Sequence, residues 1–129
     1  MRAIDTNIIV RYLTGDHPEQ AAKAQAVVDD GEVFVATTVM LEVEWVLRSV
    51  YGFSRGDAAR GLRAFAGLAN VRIESAGAAA EALDRAEAGM DFADALHLAA
   101  AAGCEAFLTF DRKFIAAARD LTEIPVVTP

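Results

Sequence analysis

The sequence predicts an α/β domain, a three-layer α/β/α sandwich in which helices cover both faces of a mainly parallel central sheet of four or five strands. Short β-rich runs alternate with longer Ala-rich helical patterns in the order β-α-α-β-α-α-β-α-α-β-α-β. Strands that are joined through helices pair in parallel. The length of 129 residues suits one core of normal size, so residues 1–129 are expected to form a single domain.

The first three elements are bounded by cap and breaker residues. A short strand over residues 2–4 precedes a helix over residues 7–13, whose apolar side chains follow the helical period after the candidate cap Thr6. Pro18 suits the first position of the second helix, and Gly31 marks the end of that helix.

The next three elements repeat this arrangement. The apolar run over residues 33–36 predicts a buried strand, and Thr37 and Thr38 are candidate caps for a helix over residues 39–51. A Ser at position 54 with Asp three residues later resembles a capping box for a helix that ends near Gly67.

The second half of the chain completes the alternation. A short strand over residues 71–73 is followed by a helix capped by Ser75 and then by a helix over residues 91–102. The remaining strand, helix and strand are predicted over residues 106–109, 111–120 and 124–127. Pro125 indicates that the last strand lies at an edge of the sheet, because proline donates no ladder hydrogen bond.

The composition excludes several classes of protein. With 54% hydrophobic and 24% charged residues, the chain is neither disordered nor collagen-like. No apolar run approaches the roughly 20 residues of a membrane helix, and Asp5 interrupts any signal-peptide core, so a soluble cytoplasmic protein is expected. The single cysteine, Cys104, excludes an intramolecular disulfide and a thiolate zinc site, and we expect this residue in the core.

The net charge of −7 suggests at first that the protein does not bind nucleic acid, but net charge is an average over the whole surface. Carboxylates that hold metal ions count towards the net charge while they present a locally neutral or positive site. The charge balance alone therefore excludes neither RNA nor DNA as a partner.

Four acidic residues occupy the positions where an open parallel sheet places its sites, outside the carboxyl ends of the strands. Asp5 follows the first strand and Asp111 follows the fourth, while Glu42 and Asp94 each lie one turn into a helix. They come from distant parts of the sequence, but this topology brings them to one edge of the sheet.

Two glutamates on one helix are predicted to have different roles. Glu44 has Arg48 four residues later, the favourable direction for a solvated ion pair, so we expect Glu44 at the surface. Glu42 is followed at the next turn by Trp45 and Val46 and lies beside the apolar face, which favours Glu42 as the functional residue.

Three of the aspartates have a simpler interpretation as helix caps. Asp5, Asp91 and Asp111 each precede a predicted helix, where a carboxylate stabilises free backbone N–H groups and the helix dipole. The spacing of Asp91 and Asp94 also fits an N-cap with an acidic residue in the first turn. Each residue can therefore act as a cap, as a metal ligand or as both.

Converging carboxylates have a narrow chemistry. Mg²⁺ and Mn²⁺ prefer oxygen ligands, and without a cation the crowded charges repel one another and resist ionisation. Such a site activates water and stabilises charge on a phosphoryl oxygen, so phosphodiester hydrolysis is the expected reaction. The candidate metal ligands are Asp5, Glu42, Asp91, Asp94 and Asp111.

Four motifs in this order resemble those of the PIN-domain ribonucleases, specifically the VapC-type toxins of toxin-antitoxin pairs. They are DTNIIVRYL at residues 5–13, LEVEWVL at 41–47, DFADALH at 91–97 and TFDRKF at 109–114. The resemblance covers almost the whole chain and implies that Asp5, Glu42 and Asp94 are the core acidic ligands. It also implies Asp111 or Asp91 as the fourth ligand, with Thr109 and Asn7 supporting the site.

The resemblance further implies Mg²⁺- or Mn²⁺-dependent cleavage of single-stranded RNA, a homodimer and a cognate antitoxin that occupies the active-site groove. The RNA target and the number of metal ions stay open. The alternative within the family is a catalytically silent PIN fold that binds RNA or a protein partner. A response-regulator receiver lacks its phosphoacceptor aspartate here, and a haloacid-dehalogenase-type phosphatase needs an aspartate where this chain has Asn7.

Substrate contacts are less visible in the sequence. Arg11, Arg112 and Lys113 lie near the acidic edge and are candidate phosphate contacts. A basic helix segment either flanks a groove or forms a solvated face; its residues are Arg55, Arg60 and Arg63.

Several aromatic rings and one histidine are assigned mainly to packing. Tyr12 and Phe110 either stack on bases or belong to the core, the commoner role at such spacing. Trp45 and Phe65 are expected in the core, and His97 is expected to be a hydrogen-bonded structural residue rather than a ligand.

Overall fold

A computed structural model describes all 129 residues, and its twelve elements follow the predicted order. The five strands are β1 (Arg2–Ala3), β2 (Val33–Val35), β3 (Val71–Ile73), β4 (Phe107–Leu108) and β5 (Val126–Val127). The seven helices are α1 (Thr6–Thr14), α2 (Pro18–Asp29), α3 (Thr37–Ser49), α4 (Arg55–Ala66), α5 (Ala76–Glu87), α6 (Phe92–Ala100) and α7 (Arg112–Ala118). The alternation of short strands and longer helices confirms the α/β class.

All strand pairs are parallel, as predicted, and they form two separate ladders. One ladder has the order β1-β2-β3 and aligns Arg2 with Val33 and Val33 with Val71. The other joins β4 to β5 and aligns Phe107 with Val126. The predicted five strands are therefore present, but no ladder hydrogen bond joins the first three to the last two. Because β5 pairs with β4 alone, it is an edge strand, as Pro125 indicated.

The helices pack on one another and on the strands around one apolar core. Helix α1 contacts α2, α3 and α4, helices α4 and α5 both contact β3, and α5 packs closely on α6. The largest fully buried apolar side chains include Phe65, Phe92, Ile9, Met40 and Leu47. Burial of each stabilises the fold by about 1.5–3 kcal/mol. The predicted place of Phe65 in the core is confirmed.

Polar residues begin most of the helices. Asp5, rather than the predicted Thr6, caps α1, because its carboxylate accepts the Thr6 N–H at 2.7 Å and leaves Thr6 inside the helix. The side chain of His17 caps α2, and that of Ser54 caps α4.

Helix α3 is capped by a residue from a distant part of the chain. Neither predicted cap acts, because Thr37 and Thr38 already lie in the helix, which begins after Ala36. Instead, a carboxylate oxygen of Glu74, which follows β3, accepts the Thr37 N–H at 2.8 Å. This hydrogen bond lowers the pKa of Glu74.

Three predicted exposures are wrong. Glu44, expected at the surface, is 1% exposed, whereas Trp45, expected in the core, is 56% exposed. Packing of α3 against α1, α4 and α6 fixes its rotation and turns Glu44 inwards. Cys104, expected in the core, is exposed, because it lies beyond α6 in the turn that leads to β4. No helix of the chain is long and apolar enough to span a bilayer.

Candidate functional site

The candidate site is centred on the first turn of α6. Asp91 is the N-cap, and its Oδ1 accepts the Asp94 N–H at 3.2 Å. Asp94 therefore lies in the third helical position, with a partly buried side chain. The cap fixes the backbone of Asp94 relative to the loop that carries Asp91.

The side chain of Asp94 lies in surroundings that disfavour its charge. Its pKa is raised, first by burial and then by the nearby negative charges of Asp91 and Asp111. Positive charge on His97 and Arg55 opposes this effect only in part. Asp94 and Asp111 come from different helices, so the tertiary structure has brought like charges together.

Asp111 is held by its own cap. Its Oδ1 accepts the N–H groups of Lys113 at 2.9 Å and Phe114 at 3.2 Å, and so begins α7. The hydroxyl of Thr109 accepts the Asp111 N–H at 3.0 Å. Thr109 thus holds the backbone on which Asp111 stands, and one carboxylate oxygen of Asp111 is not used by the cap.

The two remaining predicted acids lie on the first part of the chain. Asp5 caps α1 two residues after the end of β1, and Glu42 is exposed in the second turn of α3. Neither contributes to the charges that raise the pKa of Asp94. Asn7, predicted as a supporting residue, is exposed on α1.

The acids are not arranged as a finished metal centre. No group of three or more His, Cys, Asp or Glu side chains has a geometry that could hold a metal ion. The donor set nevertheless fits Mg²⁺ or Mn²⁺ by its chemistry, because it consists of carboxylate oxygens and lacks sulfur. The mutual repulsion around Asp94 is also what a divalent cation would relieve.

Arg48, which the sequence did not indicate as part of the site, lies beside it. Buried Glu44 accepts a hydrogen bond from Arg48 at 2.6 Å, and the same guanidinium lies 4.0 Å from Asp91. Arg48 thus links the core of α3 to the cap of α6. The burial of Glu44 could have been found in the sequence, because Glu44 shares a helical stripe with Met40 and Leu47.

The predicted phosphate contacts have different surroundings. The guanidinium of Arg11 donates to Gln20 at 2.8 Å, to the Tyr51 hydroxyl at 2.9 Å and to Asp16 at 3.1 Å. This network joins α1 to α2 and to the segment after α3, and it uses Nε and Nη1 of Arg11, which leaves only Nη2 for a phosphate. In contrast, Arg112 and Lys113 are exposed at the start of α7 and form no ion pair.

The aromatic residues also separate. Tyr12 packs edge-on against Phe65, with ring centroids 5.3 Å apart, and so belongs to the core region. Phe110 is 82% exposed beside Asp111. The hydrogen bond predicted for His97 is not formed: its side chain is exposed, and its ring stacks on Phe107, with centroids 6.4 Å apart.

A surface cleft lies away from these acids. It is formed by α5, the end of α6 and residues 120–124, and none of the five predicted metal ligands lines it. This cleft is therefore separate from the candidate site.

Comparison with known families agrees with this geometry. Residues 3–120 match the PIN domain family, whose members are typically metal-dependent nucleases. No curated protein and no solved structure matches the chain. The family match begins before Asp5 and ends after Asp111, so it includes every acid discussed above. The chain belongs to the PIN-domain family.

Proposed function

We propose that this protein is a metal-dependent endoribonuclease that cleaves single-stranded RNA and acts as the toxin of a toxin-antitoxin pair. The observation that carries the proposal is the gathering of Asp91 and Asp111 around Asp94 within a PIN domain. Crowded carboxylates at the exposed edge of an α/β fold serve hard-cation chemistry better than they serve stability.

In this proposal Asp5, Glu42, Asp94 and Asp111 hold Mg²⁺ or Mn²⁺. Asp91 takes a positioning role, because one of its oxygens caps α6 and the other faces Arg48. A divalent cation bound at this edge would supply positive charge to the phosphoryl oxygens and lower the pKa of a bound water. The chain itself orients the acids through three helix caps.

The segment after β4 is the proposed RNA contact. Phe110 is exposed and offers a ring on which a base can stack, while Arg112 and Lys113 offer unpaired positive charge for the phosphates. These residues flank Asp111 on both sides. Arg11 is not one of the proposed contacts, because its guanidinium donates to Asp16 and Tyr51.

The proposed protein partners are a second copy of the chain and an antitoxin. Support comes from Leu108 and Val127, which are exposed and lie side by side on the paired strands β4 and β5. Light scattering at micromolar concentration should give twice the chain mass of 13.7 kDa for a homodimer. A mass near 13.7 kDa would contradict the dimer.

A catalytically silent PIN fold that only binds RNA or protein is the second candidate. The observation that favours it is that no three acids are arranged to hold a metal ion. Such a protein would bind its partner equally well when its acids are neutralised, and it would not cleave RNA under any metal condition.

One experiment separates these functions. The purified full-length chain is incubated with a mixed single-stranded RNA in Mg²⁺, in Mn²⁺ and in EDTA, alongside the Asp94→Asn variant. Asp29→Asn is the matched control, since Asp29 is exposed at the far end of α2 and loses the same charge. Cleavage that needs metal and is lost only in Asp94→Asn would support the nuclease. Equal cleavage by all three proteins would contradict it, and no cleavage by any of them would favour the silent fold.

A further inference from the structure

Most cations of this chain already have an acidic partner. Eight of the twelve Lys and Arg side chains lie within 4.0 Å of a carboxylate oxygen. The four that do not are Arg55, Arg112, Lys113 and Arg119. The charge of a cation without an acidic partner is not neutralised by the chain and is available to an external anion.

Of these four cations, only Arg55 has a charge that lowers the pKa of Asp94. It occupies the first position of α4, and its guanidinium donates to the carbonyl of Gly89 at 3.2 Å. Gly89 precedes Asp91 by two residues, so this hydrogen bond holds the guanidinium against the loop that begins α6. Its positive charge reaches Asp94, where it favours the ionised carboxylate.

The neighbouring arginines of α4 have different surroundings. Arg60 donates to Asp57 at 2.6 Å, and Arg63 donates to Asp84 at 2.7 Å and to Glu87 at 3.1 Å. Their charges are neutralised by the chain itself. The sequence presents these arginines as one basic segment, but the structure leaves only Arg55 without a carboxylate.

The surroundings of Arg55 are those of a preoriented anion contact. The hydrogen bond to Gly89 fixes the position of the guanidinium without cancelling its charge, because the acceptor is a neutral carbonyl. The side chain is exposed, so its other N–H donors face solvent. A planar guanidinium with free donors matches the geometry of two phosphate oxygens.

We propose that Arg55 binds a phosphate of the RNA backbone beside Asp94 and so positions the strand at the acidic edge. The proposal rests on the nuclease function above and extends it to a residue outside the four family motifs. Arg55 acts as a positioning residue, since the cation and the acids carry out the chemistry.

The test compares Arg55→Ala, Arg55→Lys and the control Arg60→Ala in binding to a short fluorescent single-stranded RNA. Anisotropy is measured in EDTA at several salt concentrations, so that binding is read without cleavage. Arg55→Ala should weaken binding about tenfold and reduce the slope of log affinity against log salt by about 0.7, the value for one lost phosphate contact on a single strand. Arg55→Lys should keep the slope, because it keeps the charge, while Arg60→Ala should match the wild type.

A purely structural role would give a different result. If Arg55 only holds the Gly89 loop, Arg55→Ala and Arg55→Lys would both lower the Tm and leave the salt slope unchanged, which would overturn the proposal. An unchanged affinity, or an equal loss in Arg60→Ala, would overturn it as well. In the cleavage assay a positioning role predicts a KM about ten times higher with kcat nearly unchanged.

RNA binding through Arg55 and RNA cleavage can be tested independently of each other. If the wild type binds RNA through Arg55 but never cleaves it, the phosphate contact stands and the nuclease function fails. If the wild type cleaves RNA while Arg55→Ala retains the normal KM and salt slope, the nuclease stands and the phosphate contact fails. A wild type that does not bind single-stranded RNA at all would overturn the contact.

Discussion

Two clusters of charged side chains in this fold have opposite electrostatics. In the network around Arg11, the carboxylate of Asp16 accepts hydrogen bonds from the hydroxyls of Tyr51 at 2.7 Å and Thr14 at 2.9 Å. These bonds, followed by the charge of Arg11, lower the pKa of Asp16. At the acidic edge, burial and like charges raise the pKa of Asp94.

The difference separates acids that stabilise the fold from acids that serve a site. Asp16 is paired with donors and joins three segments of the chain, so its charge is used in folding. Asp94 gains no hydrogen bond that offsets its burial and is repelled by Asp91 and Asp111. The negative charge of such an acid is not compensated within the fold, and uncompensated acids of this kind cluster at functional sites.

The largest predicted effect is a difference in activity between variants of two acids of the site, Asp111 and Asp91. Asn caps a helix about as well as Asp, so Asp111→Asn and Asp91→Asn should both fold normally. We expect Asp111→Asn to reduce metal-dependent kcat/KM by about 100-fold or more, because it removes a ligand charge worth several kcal/mol. Asp91→Asn should lose less than about tenfold, since Asp91 already serves the cap and Arg48. A larger loss in Asp91→Asn would exchange the two roles.

The next effect concerns the link between the core and the edge. Arg48→Ala leaves Glu44 as a buried carboxylate with no partner, and we expect the free energy of unfolding to fall by about 3 kcal/mol. Urea denaturation measures this change. The exposed pair of Arg60 and Asp57 provides the control, because Arg60→Ala should cost less than about 1 kcal/mol. Equal losses in the two variants would show that Glu44 does not depend on Arg48.

A smaller effect on stability is expected in the network around Arg11, where Tyr51 donates a hydrogen bond to Asp16. Tyr51→Phe removes the largest contribution to the lowered pKa of Asp16. A carboxylate whose pKa is lower in the folded chain stabilises the fold above its ordinary pKa, and this stabilisation is lost as the pH falls through the folded value. Tyr51→Phe should therefore lower the Tm at pH 7, and the difference from the wild type should narrow in acid, below about pH 4. A difference that is the same at both pH values would contradict this assignment.

The smallest predicted effect is at the cap of α3. Glu74→Gln keeps an oxygen acceptor for the Thr37 N–H but removes the charge that favours the helix N-terminus. Because this hydrogen bond lowers the pKa of Glu74, the wild type should lose its advantage as the pH falls below the ordinary carboxyl range. Thermal melts of Glu74→Gln and Glu74→Ala at pH 7 should show a small loss in the first and a larger loss in the second.

The order of elements could be predicted from the sequence because it depends on local signals. Apolar periodicity, glycines and prolines mark the start and end of segments without reference to the rest of the fold. Contacts with three other helices decide the rotation of α3. The one local sign of it, the stripe of Met40, Glu44 and Leu47, was outweighed in the prediction by the i, i+4 spacing of Glu44 and Arg48. This is why Glu44 and Trp45 exchanged their expected places, although the ion pair of Glu44 with Arg48 was visible in the sequence.

The candidate site was predictable to the extent that it follows from topology. Parallel connections imply that acids from distant parts of the sequence come together, and Asp111 is near enough to raise the pKa of Asp94, although Asp94 follows a helix rather than a strand. The partners of the cations could not be read in advance. Arg11 meets Tyr51 across forty positions of sequence, and Arg55 meets Gly89 across thirty-four. Only the folded chain distinguishes an arginine that holds the structure together from one that is free to bind a substrate.

The division of the strands into two ladders has a mechanical consequence for the acidic edge. Asp5 and Glu42 follow strands of the first ladder, whereas Asp111 follows a strand of the second. No ladder hydrogen bond therefore fixes the distance between the two groups of acids, which depends on how the helices and loops that carry them pack. A cation shared by both groups would therefore act as a cross-link. It would hold the two ladders together where no backbone hydrogen bonds connect them.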